Sequence, residues 1–295
     1  MRGRRPQPGD CGPGRPAAEP RQPRSAERPP IAFQLLALDL DGTIVSLDLE
    51  VDERDVAALD RARAAGVHVV ACTGRPFPGA LPWVQRLHLS DPVVCYQGAQ
   101  VRDLDGATLL DHGVPRELAM EVVRWCRERG LHVQGYRDDQ LLVEHDTPEA
   151  RAYSKHAGMP IQVVPDLDQA LGPTTPKVVI VAAEAKVEEL LPLVRSQWGG
   201  KLNAATSLPT YIEFTSVKAD KRKALEFLCG RLGISERDTV AVGDGRNDLP
   251  MLEWAGWGVA VSTAAPEVLA AADRVIGPPG SAGIATLVDE LLSSR

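Results

Sequence analysis

The stretch Leu35-Leu36-Ala37-Leu38-Asp39-Leu40-Asp41-Gly42-Thr43 decides how the rest of the chain is read. Its first four residues are a continuous apolar run of the kind that forms a strand buried on both faces. The run ends at two carboxylates and a glycine able to turn the chain sharply. Two acids therefore stand at the carboxyl end of a buried strand, which is where open α/β sheets bind their ligands. A carboxylate placed there can attack phosphorus to form an aspartyl-phosphate, dividing one hard hydrolysis into two easier displacements. On an extended strand Asp39 and Asp41 would share a face, but a turn at Gly42 lets the second swing toward a leaving group. Asp39 is read as the nucleophile and Asp41 as the general acid, later the base that activates water. Asp and Gly are also ordinary turn formers, so the reading depends on what else the chain supplies.

Three further clusters supply it. Val67-His68-Val69-Val70-Ala71 reads as a second buried strand that runs into Cys72-Thr73-Gly74-Arg75-Pro76. Thr73 offers a hydroxyl and Gly74 an unobstructed backbone amide, both suited to phosphate oxygens. Thr239-Val240-Ala241-Val242 reads as a third strand, leading through Gly243-Asp244-Gly245-Arg246-Asn247-Asp248 into a helix with Pro250 near its start. Asp244 is again a carboxylate at a strand end, read as a metal ligand beside Asp39, and hard oxygen ligands around a phosphate favour magnesium. Asp248 is read as orienting that site from behind, or as helping to start the helix. A cation must offset the acids and the phosphate, and Lys218, Lys221 and Lys223 all stand in Val217-Lys218-Ala219-Asp220-Lys221-Arg222-Lys223. A solvated basic helix start is the plain reading of that segment.

These clusters resemble the haloacid dehalogenase-like (HAD) phosphohydrolases, and within them the Cof-type branch, which carries a large cap between its second and third motifs. The resemblance also takes in Tyr96-Gln97-Gly98-Ala99 and Asn247-Asp248-Leu249-Pro250-Met251-Leu252, and it covers nearly everything after residue 30. It implies a Rossmann-like parallel sheet core flanked by helices, with an inserted α+β cap domain. It further implies Mg2+ held by Asp39, the backbone carbonyl of Asp41 and Asp244, and a phosphoryl group held by the Leu40 amide, Thr73, Gly74, Lys221 and Asn247. Lys221 is selected because the branch reads Lys-Gly-x-Ala-Leu at that place. The chain departs from the branch at Arg222, where glycine is usual, at Gln97, where asparagine is usual, and at Val261-Ser262-Thr263-Ala264, where Met-Gly-Asn-Ala is usual.

Composition bounds the remaining possibilities. A chain of 295 residues with 44% hydrophobic content suggests about two domains of a globular protein. No apolar run approaches the ~18 residues needed to span a bilayer, so a cytoplasmic location is expected. The net charge of −7 is uneven: residues 1–30 hold seven Arg against three acids, which leaves −11 for the rest. An acidic body argues against nucleic acid as a partner, and no feature calls for a membrane. The first 30 residues, with eight prolines and almost no large apolar side chain, are expected to be a disordered tail, and an overextended start codon accounts for them most simply. Five cysteines, Cys11, Cys72, Cys95, Cys126 and Cys229, show no paired spacing, and His68 is read as structural.

Strands alternate with helices on both sides of a segment whose pattern changes, from about Val101 to Ser207. The expected division is a core of residues 31–100 and 208–295 with a cap of residues 101–207, joined by linkers near Gly98 and near Leu208-Pro209 that let the cap hinge over the site. The insertion is aromatic-poor and offers no evident stacking pair. The function expected is Mg2+-dependent hydrolysis of small phosphorylated metabolites, sugar phosphates first. The alternatives are a phosphomutase or other phosphotransferase using the same intermediate, and a receiver-like module phosphorylated on Asp. Asp41 and the insertion speak against the last, because a signalling module should keep its phosphate.

Overall fold

A computed structural model of the chain describes residues 33–206 and 208–293. The expected tail and Cys11 lie outside the described residues. The first half of the core runs β1 (Leu35–Leu38), α1 (Glu53–Ala64), β2 (His68–Ala71), α2 (Phe77–Arg86) and β3 (Val93–Cys95). The insertion follows with β4 (Gln100–Arg102), β5 (Thr108–Asp111), β6 (Val114–Pro115), α3 (Arg116–Arg127), β7 (His132–Arg137) and β8 (Gln140–Val143). It continues with α4 (Pro148–Ala157), β9 (Ile161–Val163), α5 (Leu167–Ala170), β10 (Thr174–Thr175), β11 (Val178–Val181), α6 (Glu184–Trp198), β12 (Leu202–Ala205) and β13 (Tyr211–Ser216). The chain then returns through α7 (Lys221–Leu232), β14 (Thr239–Gly243), α8 (Leu249–Trp254), β15 (Trp257–Val261), α9 (Pro266–Ala271), β16 (Arg274–Ile276) and α10 (Gly283–Ser293).

The core sheet has the order β16-β15-β14-β1-β2 and is parallel throughout. A single parallel bridge from Cys72 to Val94 brings β3 alongside. All four residues of β1 are buried, as a strand covered by helices on both faces requires. From β1 the chain steps to β2 on one side and later resumes at β14 on the other, so the order reverses at β1. The carboxyl-end crevice beside it is the place where such sheets take ligands. Register fixes what meets there: Leu38 pairs with Ala71 on one side and with Val242 on the other. The residues just beyond, Asp39, Cys72-Thr73 and Gly243-Asp244, are therefore level with one another.

The insertion builds a six-stranded sheet of order β12-β13-β11-β7-β8-β9, antiparallel except for β8 and β9. Its strands alternate between two cores. Val133, Leu142, Val178, Ile180, Ile212 and Phe214 pack with Val123 and Cys126 of α3 and with Leu190 and Val194 of α6. Tyr136, Leu141, Val179, Val181 and Tyr211 instead join the apolar cluster of the parallel core. This two-sided pattern seats the insertion as a cap on the core. Val93, Val94 and Cys95 of β3 also pair with β4, which pairs with β5 in turn, so a small antiparallel sheet leads from the core into the cap.

One expected boundary moves. Tyr211–Ser216 pairs with β11 and β12 inside the cap sheet, so the segment around Leu208-Pro209 is a hairpin connection and not a linker. The crossing back to the core lies at residues 217–220. Pro209 suits a turn of either kind, which is why its sequence alone misplaced it. Among the described residues, no helix is long and apolar enough to cross a membrane.

Candidate active site

The structure brings Asp39, Asp244 and Asp248, three of the four carboxylates read from the sequence, together in one crevice. Asp39 is 5% exposed at the end of β1. Gly42, at φ +82°, turns the chain immediately after it, and a Cβ there would stand 2.5 Å from Asp244 Oδ2. Only glycine lets the β1 loop and the β14 loop approach this closely. Thr43 donates its hydroxyl to Asp244 Oδ1 at 3.1 Å, which fixes the Asp244 side chain toward Asp39. Carboxylate oxygens of Asp39, Asp244 and Asp248 all lie within 4.8 Å of one another.

Lys221 stands at the first position of α7, which is capped by Asp220 accepting from the Lys223 amide at 2.7 Å. Its side chain is fully buried, and Nζ donates to Asp39 Oδ1 at 2.5 Å and to Asp248 Oδ1 at 2.6 Å. Lys223 instead turns outward to Asp220 and the Val217 carbonyl. Lys221, and not Lys223, is thus the lysine that reaches Asp39 and Asp248. Asp248, 1% exposed, uses its other oxygen to accept from the amides of Asp244 and Gly245, at 3.1 and 2.9 Å. It braces the Asp244 loop and the lysine together, so both of its oxygens are spoken for.

The electrostatics of this cluster are one-sided. Three carboxylates against one ammonium leave two negative charges in a largely buried crevice. Burial, then the neighbouring Asp248 and Asp244, push the Asp39 carboxyl well above the usual range, with Lys221 offsetting part of the effect. Burial and Asp248 likewise raise Asp244. Burial alone would lower the Lys221 ammonium, but Asp248 and Asp39 hold it above its ordinary value. Oδ1 of Asp39 is taken by Lys221 and Oδ1 of Asp244 by Thr43, and the paired acids that remain form a hard-oxygen donor set suited to a divalent cation. Such a cation would relieve the repulsion that raises both acids, so these residues fit Mg2+.

Asp41 separates from Asp39 as the turn requires, with its side chain 50% exposed at the crevice mouth. There Arg75 forks onto it, Nε donating to Oδ2 at 2.8 Å and Nη2 to Oδ1 at 2.5 Å. Arg75 also lies 5.4 Å from the Trp83 ring centroid. The sequence reading gave Arg75 no task. No local signal marks it: the contact follows from the parallel pairing of β1 and β2, which puts the residues after Leu38 beside those after Ala71. Thr73 is buried, its hydroxyl accepting from the Arg75 amide at 3.0 Å, and Leu40 is fully buried with its carbonyl capping the turn through Thr43, Ile44 and Val45. Asn247 is exposed and donates Nδ2 to Gln97 Oε1 at 2.8 Å. Gln97 reaches so near Gly74 that a Cβ there would stand 2.3 Å from Gln97 Nε2 unless that carboxamide moved aside.

Two plainer readings also find their place. Cys72 is fully buried beside Asp39, and burial pushes its thiol far up, so it is no nucleophile. His68 Nδ1 pairs with Asp91 Oδ1 at 2.7 Å, a structural contact. The tyrosines gathered beneath the cap are buried and meet one another at an angle, so they are packing contacts and not a stacking pair for a ligand. Tyr153 and Tyr211 lie 4.9 Å apart, and Tyr136 meets Tyr96 edge-on at 5.4 Å. These rings come from sequence-distant elements and meet only through the sheet. Among them lies a buried ion pair, Lys177 Nζ to Glu213 Oε1 at 2.8 Å.

A parallel sheet with an inserted cap over an acidic strand-end crevice places the chain among the capped α/β enzymes. Comparison with known proteins narrows that class. The model of the haloacid dehalogenase-like hydrolases matches residues 36–288, and the chain belongs to that family, in its Cof-type branch. It is 31% identical over 266 residues to the pyridoxal phosphate phosphatase YbhA of Escherichia coli, covering 86% of this chain and 97% of the relative. It is 26% identical over 266 residues to the HMP-PP phosphatase of Yersinia pestis, covering 89% and 96%. A haloacid dehalogenase-like hydrolase from Bacteroides thetaiotaomicron shares the fold with a TM-score of 0.81 at 25% identity, covering 88% of this chain and 99% of that one. The chain is a phosphatase of this family, a phosphoric monoester hydrolase.

Proposed function

We propose that the chain is a Mg2+-dependent phosphatase that acts in the cytoplasm on small phosphorylated metabolites through an aspartyl-phosphate on Asp39. The observation that carries this reading is the convergence of Asp39, Asp244, Asp248 and Lys221 at the switch point of the sheet. Asp39, the Asp41 backbone carbonyl and Asp244 hold the metal, which when bound neutralises the excess negative charge and polarises the phosphoryl oxygens. Lys221 aims Asp39 and favours its ionised form, while Asp248 fixes both the lysine and the Asp244 loop. The Leu40 amide, Thr73, Gly74, Lys221 and Asn247 hold the phosphoryl oxygens. Protonated and released from Arg75, Asp41 gives its proton to the leaving oxygen; as the carboxylate that Arg75 grips at the mouth it then takes one from water. The cap, which we place between the turn at residues 96–98 and the crossing at 217–220, contacts the leaving group and excludes water.

The names of these two relatives put pyridoxal phosphate and HMP-PP beside sugar phosphates as compounds to try. Phosphate release from a panel of these, with Mg2+ and again with excess chelator, tests the reading. Turnover of at least one small phosphomonoester, abolished by chelation and restored by Mg2+, is expected. Full turnover in chelator would remove the metal from the mechanism.

Asp41→Asn separates the two half-reactions. The substitution leaves the backbone carbonyl in place but removes a proton-transfer group worth about 10²–10⁴ in rate. With p-nitrophenyl phosphate, whose leaving group needs little protonation, phosphate is expected to accumulate on Asp39, because the base for its hydrolysis is missing. Steady-state turnover within twofold of the parent would take Asp41 out of the acid/base role.

A further inference from the structure

The turn Tyr96-Gln97-Gly98, where the core crosses into the cap, has three consecutive residues at positive φ, of 52°, 60° and 85°. Two of them are not glycine, and such backbone persists only where the surroundings hold it. The surroundings here are the site loops themselves. The Tyr96 amide donates to the Arg75 carbonyl at 2.9 Å and the Gln97 amide to the Thr73 carbonyl at 3.1 Å. Gly98 lies so tightly on the Asp220 carbonyl and the Lys221 amide that no side chain would fit there. One three-residue turn thus touches the loop after β2 and the start of α7, and through the Gln97 side chain it reaches the loop after β14.

Gln97 is half-buried, and its carboxamide spans the space between Gly74 and Asn247. An amide nitrogen carries two N–H groups. With one of the Asn247 pair held by Gln97 Oε1, the other has a fixed direction, while Gln97 Nε2 adds donors beside Gly74. On the far side of the turn, Tyr96 meets edge-on the ring of Tyr136 of β7, whose hydroxyl donates to that of Tyr153 on α4 at 2.5 Å.

We infer that Gln97 is a positioning residue for the phosphoryl group. It sets the spacing between Gly74 and Asn247 and, through its place in the crossing, ties that spacing to the seated cap. The inference rests on the phosphate-binding reading of those two residues. A side chain one methylene longer than asparagine suits the role, because the carboxamide must reach across to a different loop.

The test is p-nitrophenyl phosphate hydrolysis with inorganic phosphate as the competing ligand, on the parent, Gln97→Leu, Gln97→Glu, Asn247→Ala and the Gln97→Leu/Asn247→Ala double variant. Gln97→Leu is expected to raise KM and the phosphate inhibition constant about five- to tenfold, the size of one lost hydrogen bond, with kcat changing less. Gln97→Glu keeps the acceptor for Asn247 but sets a carboxylate toward the anion, so phosphate inhibition should weaken further with little change in melting temperature. The two single effects should multiply to less than their product in the double variant, since one residue acts partly through the other. Unchanged inhibition in Gln97→Leu, a fully multiplicative double variant, or a lowered melting temperature with inhibition intact would each overturn the inference. Failure of the phosphatase reading looks different: the parent itself would release no phosphate and gain no thermal stability from phosphate, and both conclusions would fall.

Discussion

Asp39→Asn is expected to abolish turnover and the phosphoenzyme together. The carboxylate does two things that an amide cannot. In the proposed mechanism it supplies the attacking oxygen, and it contributes one of the charges that would hold a divalent cation in the crevice. An amide is close in shape and can still accept from Lys221 Nζ, so the fold should survive. Loss of a buried acid whose carboxyl is already held well above its usual range should leave thermal stability unchanged or raised. The measurement is rapid acid quench followed by mass spectrometry of the protein, run beside Asp41→Asn. Phosphate on Asp39 in Asp41→Asn and none in Asp39→Asn is the expected pair of results. Phosphate on another residue, or full turnover in Asp39→Asn, would end the mechanism.

The parts of this site that were legible in the sequence are those where an apolar run breaks at a polar residue. Leu35–Leu38 before Asp39, Val67–Ala71 before Thr73 and Thr239–Val242 before Asp244 each report a buried strand and its ligand-side end, and parallel pairing does the rest. The helix at Lys221–Leu232 was equally readable, with Asp220 as its cap and Gly233 at φ +69° closing it. What escaped depends on contacts between distant segments. Arg75 meets Asp41 only because β1 and β2 are neighbours, and nothing local to either residue says so. Gln97 looked like a minor departure from asparagine until the turn carrying it was seen against Gly74 and Asn247. The strand Tyr211–Ser216 fell on the wrong side of the expected boundary because its partners, β11 and β12, are chosen by the antiparallel sheet and not by the residues around Pro209. Tyr136, Tyr153 and Tyr211 are scattered in sequence and meet only after that sheet and α4 have formed.

Lys221→Met should be the most damaging single change to both stability and activity. The parent cluster balances Lys221 against Asp39 and Asp248, with the lysine side chain wholly excluded from solvent. Methionine fills the same space but leaves three acids facing one another without an ammonium. Breaking one partner of a buried ion pair costs about 3–5 kcal/mol, because the remaining charge is stranded. A loss of that size lowers the melting temperature of a chain this long by roughly 10 °C. Turnover should vanish as well, since Asp39 loses the contact that aims it and favours its ionised form. A second substitution separates the two effects. Asp248→Asn retains an oxygen for the amides of Asp244 and Gly245 while removing one of the stranded charges. The Lys221→Met/Asp248→Asn double variant should therefore melt at a higher temperature than Lys221→Met alone and yet remain inactive, because the cation needed at the phosphoryl group is still missing. Thermal melts of the parent and the three variants, with phosphate release measured on the same samples, decide the matter. If the double variant is no more stable than Lys221→Met, charge balance is not what the lysine supplies to the fold. If Lys221→Met turns over at the parent rate, the ammonium plays no part in the chemistry.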